Sequence, residues 1–154
     1  MNTFLLSALM SMLPFTELRL SIPYAIAQNA NPLTTFIVCV IANILVILPI
    51  FLFLDSIHSK LLRIKIYAKL SELVLMRVRP KSIKIRKKMA LYGFPALALF
   101  VAIPLPMTGA YTGTIIAWLL GLDKKRSSIA IAAGVIIAGI IVTLASSGVL
   151  AALG

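Results

Sequence analysis

Apolar positions dominate this chain in four blocks, 3–28, 33–54, 90–122 and 127–151, separated by short polar joints and one basic segment over 56–89. Block 33–54 (LTTFIVCVIANILVILPIFLFL) holds 22 residues without a charge. As helix it measures about 33 Å, enough to cross a hydrocarbon core of about 30 Å. Block 127–151 (SSIAIAAGVIIAGIIVTLASSGVLA) is likewise uncharged and gives about 37 Å, a span that can tilt. Each is expected to form one full transmembrane helix.

The other two blocks carry helix breakers in their middles. Residues 90–122 are uncharged for 33 positions, about 50 Å as a single helix, which overshoots a bilayer, whereas two full spans need about 40 residues. Pro104 and Pro106 remove backbone donors and disfavour helix just before them, and Gly109 and Gly113 loosen the turns after them. Two short helices joined by an unwound tip are expected. Block 3–28 has the same build: an apolar run, Pro14 at the break, then Thr16, Glu17 and Arg19, then Pro23 and a second apolar run. Irregular backbone survives at membrane depth only where protein or a water-filled cavity satisfies its polar groups, so both tips are expected to face inward.

Composition agrees with a membrane protein. At 61% hydrophobic and 12% charged residues, with a mean hydropathy of +1.07, the chain has more apolar surface than a soluble domain of this size can bury. The net charge of +11 is concentrated: 11 of the 15 Lys and Arg lie between Lys60 and Lys88, three at Lys124 to Arg126, and one is Arg19. A basic block fenced by spans is the pattern of a cytoplasmic loop drawn to anionic lipid, so lipid is the expected partner and nucleic acid is not. Within 56–89, Leu61, Ile64, Leu70, Leu73, Val74 and Val78 recur at helical spacing among Lys60, Arg63, Lys69, Arg77 and Arg79. A basic amphipathic helix on the inner leaflet, ended or bent at Pro80, is expected. No basic residue precedes the first apolar run, so the amino terminus does not read as a cleavable signal.

Charge placement also selects a topology. If 90–122 crossed completely, Lys88 and the Lys124–Arg126 cluster would lie on opposite sides, against the positive-inside bias. If it is re-entrant, residues 56–89 and 123–126 are both cytoplasmic, and the uncharged linker QNANP (28–32) is outside. The first hairpin then opens to the exterior and the second to the cytoplasm, each followed by one full span. The expected fold is therefore two transmembrane helices and two re-entrant helical hairpins in an inverted repeat, one membrane domain over 1–154 of a cell membrane. Pro14, Phe15, Thr16 echo Pro106, Met107, Thr108, and inverted repeats with broken helices near the midplane recur in secondary transporters.

The stretches LPFTELRLSIPYAIA and AIPLPMTGAYTGTIIAWLLGLDKKRS resemble the two signature regions of the putative small multidrug export protein family. The similarity covers nearly the whole chain, with the basic segment in the middle, and implies drug export without assigning residue roles. A more distant likeness, architectural only, is to DedA-type membrane proteins, which implies movement of polyprenyl-phosphate or other lipids.

Glu17 and Arg19 are the sharpest chemical feature. An ionisable group at membrane depth costs about 2.5–3.5 kcal/mol on insertion scales, so it lines a cavity or has a partner. Residues i and i+2 of a helix point apart, whereas an unwound tip can aim both into one pocket. Glu17 reads as a proton or cation acceptor and Arg19 as an anion-holding or tuning group, against a structural pair that pins the tip. At the second tip Thr108, Tyr111, Thr112 and Thr114 offer hydroxyls for an ion or phosphate, or merely for broken backbone. Asn43, mid-span, either bonds a hairpin tip or reaches the pocket. Trp118 reads as an interfacial anchor, His58 as a solvated loop residue, and Cys39 as a small buried hydrophobe. Ala130, Gly134, Ala138, Gly139, Thr143 and Ser147 form strips that permit close helix approach within the chain or across a dimer.

No phosphate loop, Cys/His metal pattern or nucleophile–base pair is present, so neither an enzyme nor a cofactor or metal is expected. The reading is a small transporter, a homo-oligomer because so short a chain encloses little pocket, exporting amphipathic or cationic compounds with proton coupling through Glu17. A lipid carrier and a scaffold subunit without substrate are the alternatives.

Overall fold

The computed structural model describes residues 3–61, 72, 83–105 and 108–153, and among them every regular element is helical. The helices are α1 (Thr3–Ser11), α2 (Glu17–Ala27), α3 (Pro32–Leu45), α4 (Ile47–Leu61), α5 (Ile83–Ala102), α6 (Ala110–Leu119) and α7 (Lys124–Leu153). Two stretches, Pro32–Lys60 and Lys124–Ala152, are long and apolar enough to cross a membrane. Only 39% of the apolar window in each is buried within the chain, so neither behaves as the core helix of a soluble domain. Leu45, Leu48, Leu52, Phe53 and Leu144 face outward instead.

Both long helices begin earlier or end later than the uncharged blocks, because capping rather than apolarity sets their ends. Asn31 caps α3, its Oδ1 accepting from the amides of Leu33 (3.0 Å) and Thr34 (3.2 Å), with Pro32 in the first-turn position that needs no amide donor. Asp123 caps α7 through the Arg126 amide at 2.9 Å. The joints leading into α3 and α7 are built alike. Asn29 (φ 58°) and Gly121 (φ 66°) adopt the left-handed conformation, and the following amides, Ala30 and Leu122, return to the carbonyls of Ala25 (3.1 Å) and Ala117 (3.0 Å), which closes each helix. Two residues after Asn29 and after Gly121 stands the next cap.

Between α3 and α4 the helix breaks at Val46. Pro49 has no N–H for the Leu45 carbonyl four residues back, and its ring crowds that carbonyl. Pro23 and Pro95, by contrast, lie inside α2 and α5. The expected breaks fall where the tips are: α1 stops at Ser11 ahead of Pro14, and α5 at Ala102 ahead of Pro104. Pro106 lies outside the described residues. So do Arg63, Ile64, Lys69, Leu70, Leu73, Val74, Arg77, Val78 and Pro80, the stretch on which the amphipathic helix was expected.

The packing is organised around α3 and α7. The pair α1 and α2 lies on α3, the pair α5 and α6 lies on α7, and each pair's second helix also reaches the other long helix, α2 onto α7 and α6 onto α4. Leu18, Ile22, Cys39, Val40, Phe51, Leu97, Val101, Ile131 and Val135 fill the shared core. The small residues of α7 are used inside the chain. A Cβ at Gly134 would meet the Ala98 carbonyl at 2.5 Å and Val101 at 2.7 Å, and one at Gly139 would meet Val40 and Phe36 at 2.7 and 2.9 Å. Gly113 sits within α6 rather than loosening it, because a Cβ there would meet Val101 at 2.7 Å.

Candidate functional site

The two tips, 12–16 and the described residues 103–105 and 108–109, come together through side chains separated by some ninety positions in sequence. Glu17 opens α2 with φ 43°, a conformation that costs a residue with a Cβ roughly 1–2 kcal/mol, and it is only 6% exposed. Its carboxylate lies against Gly109, where any Cβ would collide with it, and the Tyr111 amide approaches Oε1 at 3.5 Å. Gly109 is the residue immediately before α6. The acid of the first tip therefore occupies the amino-terminal end of a helix from the second, where unpaired amides and the helix dipole favour negative charge.

Arg19 treats the other side of the same break in the opposite sense. Its Nη2 donates to the Ile103 carbonyl (3.2 Å), just past the end of α5, and to Thr108 Oγ1 (2.8 Å). A cation at a helix carboxyl end is the favourable arrangement. The Thr108 hydroxyl lies 2.7 Å from the Ile103 carbonyl and 2.8 Å from that of Leu105, and its single proton serves one at a time. Among the described residues Glu17 and Arg19 form no direct ion pair. They straddle the α5–α6 break, each facing the helix end of opposite polarity. The second tip reciprocates: Tyr111 donates its hydroxyl to the Met12 carbonyl at 2.5 Å, while Thr16 donates to that of Met10.

Of the residues singled out from sequence, Thr16, Glu17, Arg19, Thr108, Gly109 and Tyr111 thus meet at one place. Thr114 instead donates to the Ala110 carbonyl one turn back at 2.6 Å, and Thr112 is half-buried on α6. Pro14 and Pro104 are exposed at the tips. Inward-facing tips were expected, and only their polar side chains comply. Met12, Leu13, Phe15, Ile103 and Leu105 point out of the chain, Phe15 at 90% exposure.

Beneath the first tip lies a strip of polar residues that the sequence pattern does not reveal. Ser7, Ser11, Ser21, Thr35, Cys39 and Asn43 are all fully buried. Thr35, Cys39 and Asn43 share one face of α3 by their four-residue spacing. Ser11 donates to the Cys39 carbonyl at 2.7 Å and Asn43 Nδ2 to the Ser11 carbonyl at 2.8 Å. Asn43 therefore fastens the end of α1 to α3.

At the far end of the bundle Trp118 and His58 make contacts that the sequence did not show. Trp118 Nε1 donates to Asp55 Oδ1 at 2.9 Å, Lys124 pairs with Asp55 Oδ2, and the half-buried His58, within α4 rather than a loop, meets the Trp118 ring edge-on at 5.1 Å. These contacts bring the ends of α4 and α6 to the start of α7. With Gly93 near Leu122, they also put Tyr92–Gly93 of α5 and the close of α6 at one end of α7.

No characterised protein and no solved structure matches the chain significantly. A family model does, over residues 17–141, a range that begins at the buried acid and includes Arg19, Thr108, Gly109 and Tyr111. The protein is a membrane protein belonging to the putative small multi-drug export protein family.

Proposed function

We propose that the protein is a small exporter of amphipathic or cationic compounds, built as two inverted halves whose re-entrant tips meet at mid-membrane, with Glu17 as the group that takes up and releases the coupling proton. The observation that carries this reading is the burial of Glu17 at the junction of the two tips, since ionisable groups inside a membrane mark substrate paths and proton relays. Supporting the inverted plan, one offset of 92 positions relates Thr16 to Thr108, Glu17 to Gly109, Asn29 to Gly121 and Asn31 to Asp123. One corresponding pair, Glu17 and Gly109, touches across the tips, as residues near an internal two-fold axis do. The shared end of Asp55, Trp118 and Lys124 fits a cytoplasmic face, because it brings Lys124–Arg126 beside the end of α4 that carries Lys60.

The test is Glu17→Gln in proteoliposomes, with ethidium efflux driven by an imposed pH gradient. The amide keeps the shape against Gly109 and loses the titratable proton. Efflux is expected to fall about a hundredfold with the fold intact; unchanged efflux removes Glu17 from the mechanism.

One observation favours a second reading, a carrier of lipid or polyprenyl-phosphate. Arg19 Nε is buried without a hydrogen-bond partner, and a guanidinium with a free donor beside Thr108 suits an anionic headgroup. Translocation of polyprenyl-phosphate in the same vesicles, lost in Arg19→Gln and retained in Glu17→Gln, would select it.

A further inference from the structure

On the reading proposed above, on which this inference rests, Glu17 takes its proton from the exterior, so a route must join that side to a carboxyl group that is almost fully buried. Helical Ser and Thr hydroxyls elsewhere in the chain bond back to their own helix: Ser7 to the Phe4 carbonyl, Ser56 to Leu52, Thr114 to Ala110 and Ser146 to Val142. Ser21 on α2 and Thr35 on α3, both 0% exposed, have no hydrogen-bond partner, and neither does Asn43 Oδ1. On α7 the buried hydroxyls of Thr143 and Ser147 are unpartnered as well. These two lie toward the 28–32 linker, since the last turns of α7 border one cavity with Ile26 and Ala27. At the cytoplasmic end of the described residues, Ser127 alone is in this condition. A buried polar atom without a partner is costly, and internal water is what satisfies such groups in a protein interior.

We propose that Ser21 and Thr35 hold internal water as a proton path from the 28–32 linker to Glu17. Their spacing supports this. Ser21 follows Glu17 by four residues on α2, and Thr35, Cys39 and Asn43 follow one another by four on α3, so each group stands one turn, about 6 Å, from the next on its face. The two strips adjoin, because the hydroxyls of Ser21 and Ser7 border the Cys39 sulfur. Thr35 lies one turn in from the linker, its amide bonding the Asn31 carbonyl at 3.0 Å. The order inward is therefore Thr35, Ser21 beside Cys39, then Glu17. Two hydrogen bonds through one water span about 6 Å, so one water per turn joins each group to the next. A hydroxyl both donates and accepts, which lets it pass a proton along such a chain. Ser21 and Thr35 are thus positioning residues for the proton, and Glu17 is its destination.

Cys39, the chain's single cysteine, reports on this path. Its S–H stretch is an isolated infrared band, and on transfer of proteoliposomes of the full chain to heavy water it exchanges only where water arrives. The band is expected to exchange while the helix amides stay protected, and to do so about tenfold more slowly in Thr35→Val. The control is Val135→Cys in a Cys39→Ser chain, a buried position of the apolar core, whose band is expected to persist. In the same vesicles, ethidium efflux driven by a pH gradient is expected to fall about tenfold in Ser21→Ala and in Thr35→Val and to persist in Thr35→Ser, which keeps the hydroxyl. A role in packing alone gives the reverse order, since valine keeps the shape of threonine and serine loses its methyl group. A Cys39 band as persistent as that of Val135→Cys, or native efflux in both Ser21→Ala and Thr35→Val, overturns the path even where Glu17→Gln abolishes efflux. Native efflux in Glu17→Gln overturns instead the reading on which the path rests, whatever the S–H band does.

Discussion

Replacing Gly109 by alanine tests the tip junction directly. Gly109 has φ −89° and ψ −158°, an extended conformation open to alanine, so the backbone raises no objection to a side chain. The objection comes from one residue: the three atoms nearest a Cβ at 109 all belong to the Glu17 carboxyl group. Overpacking of a well-filled site costs about 1–3 kcal/mol, and here relief requires Glu17 to leave the end of α6. In a Glu17→Ala background that obstacle is gone, while the cost of a positive φ at position 17 is retained because alanine also carries a Cβ. Gly109→Ala is thus expected to destabilise the native sequence by about 1–3 kcal/mol and the Glu17→Ala protein by less than about 0.5 kcal/mol, a coupling within the range of residues in contact. Helicity followed against dodecyl sulfate in mixed micelles measures all four corners of the cycle. Gly113→Ala is the control, since its Cβ would meet Val101 and its cost is independent of residue 17. Equal costs for Gly109→Ala in both backgrounds would refute the contact between the tips.

On α7, Gly134→Ala is expected to lower stability by about 1–3 kcal/mol, because the methyl group would meet a carbonyl and Val101. Gly148→Ala, which meets nothing within 4 Å, is expected to raise it by up to about 1 kcal/mol through helix propensity; thermal unfolding in detergent compares the two. The Asp55–Lys124 pair is exposed by 41% and 56%, so Lys124→Met is expected to cost less than about 1 kcal/mol. Asp55→Ala removes the acceptor from the chain's single tryptophan and is expected to shift its emission maximum, which fluorescence reads; an unshifted spectrum would contradict the contact between α4 and α6.

Much of the fold was legible because the membrane-like pattern leaves few choices. Uncharged stretches located both long helices, and Pro14 and Pro104 located the tips, since a proline break in an apolar run admits little else. The ends of the long helices were missed by a few residues because caps set them, and Asn31 and Asp123 stand outside the apolar blocks. Proline proved an incomplete guide: Pro23 and Pro95 were absorbed into helices, whereas Pro49 interrupts a span that looked continuous. At the site, Glu17 and Arg19 announced themselves as charges in apolar surroundings. Gly109, Thr108 and Tyr111 were legible as tip residues but not as their partners, because a glycine that must stay bare for a carboxylate ninety positions away carries no local signal of that pairing. The buried serines of α1 were equally silent, as a serine in a helix reads the same whether it faces lipid or Cys39. Trp118 had read as an interfacial anchor and His58 as a solvated loop residue, and only the third dimension brings Trp118 to Asp55 and His58 to the Trp118 ring.

The missing amide at Pro49 leaves the rod formed by α3 and α4 with a joint at Val46. No hydrogen bond can form from residue 49 to residue 45, so the joint is held by fewer backbone bonds than an unbroken turn, among them that from the Ile50 amide to the Val46 carbonyl at 3.1 Å. The upper segment is tied to the first tip through Asn43 and Ser11, and the lower one to α6 and α7 through Asp55. A turn at this joint would move the tip held through Asn43 relative to the end held through Asp55.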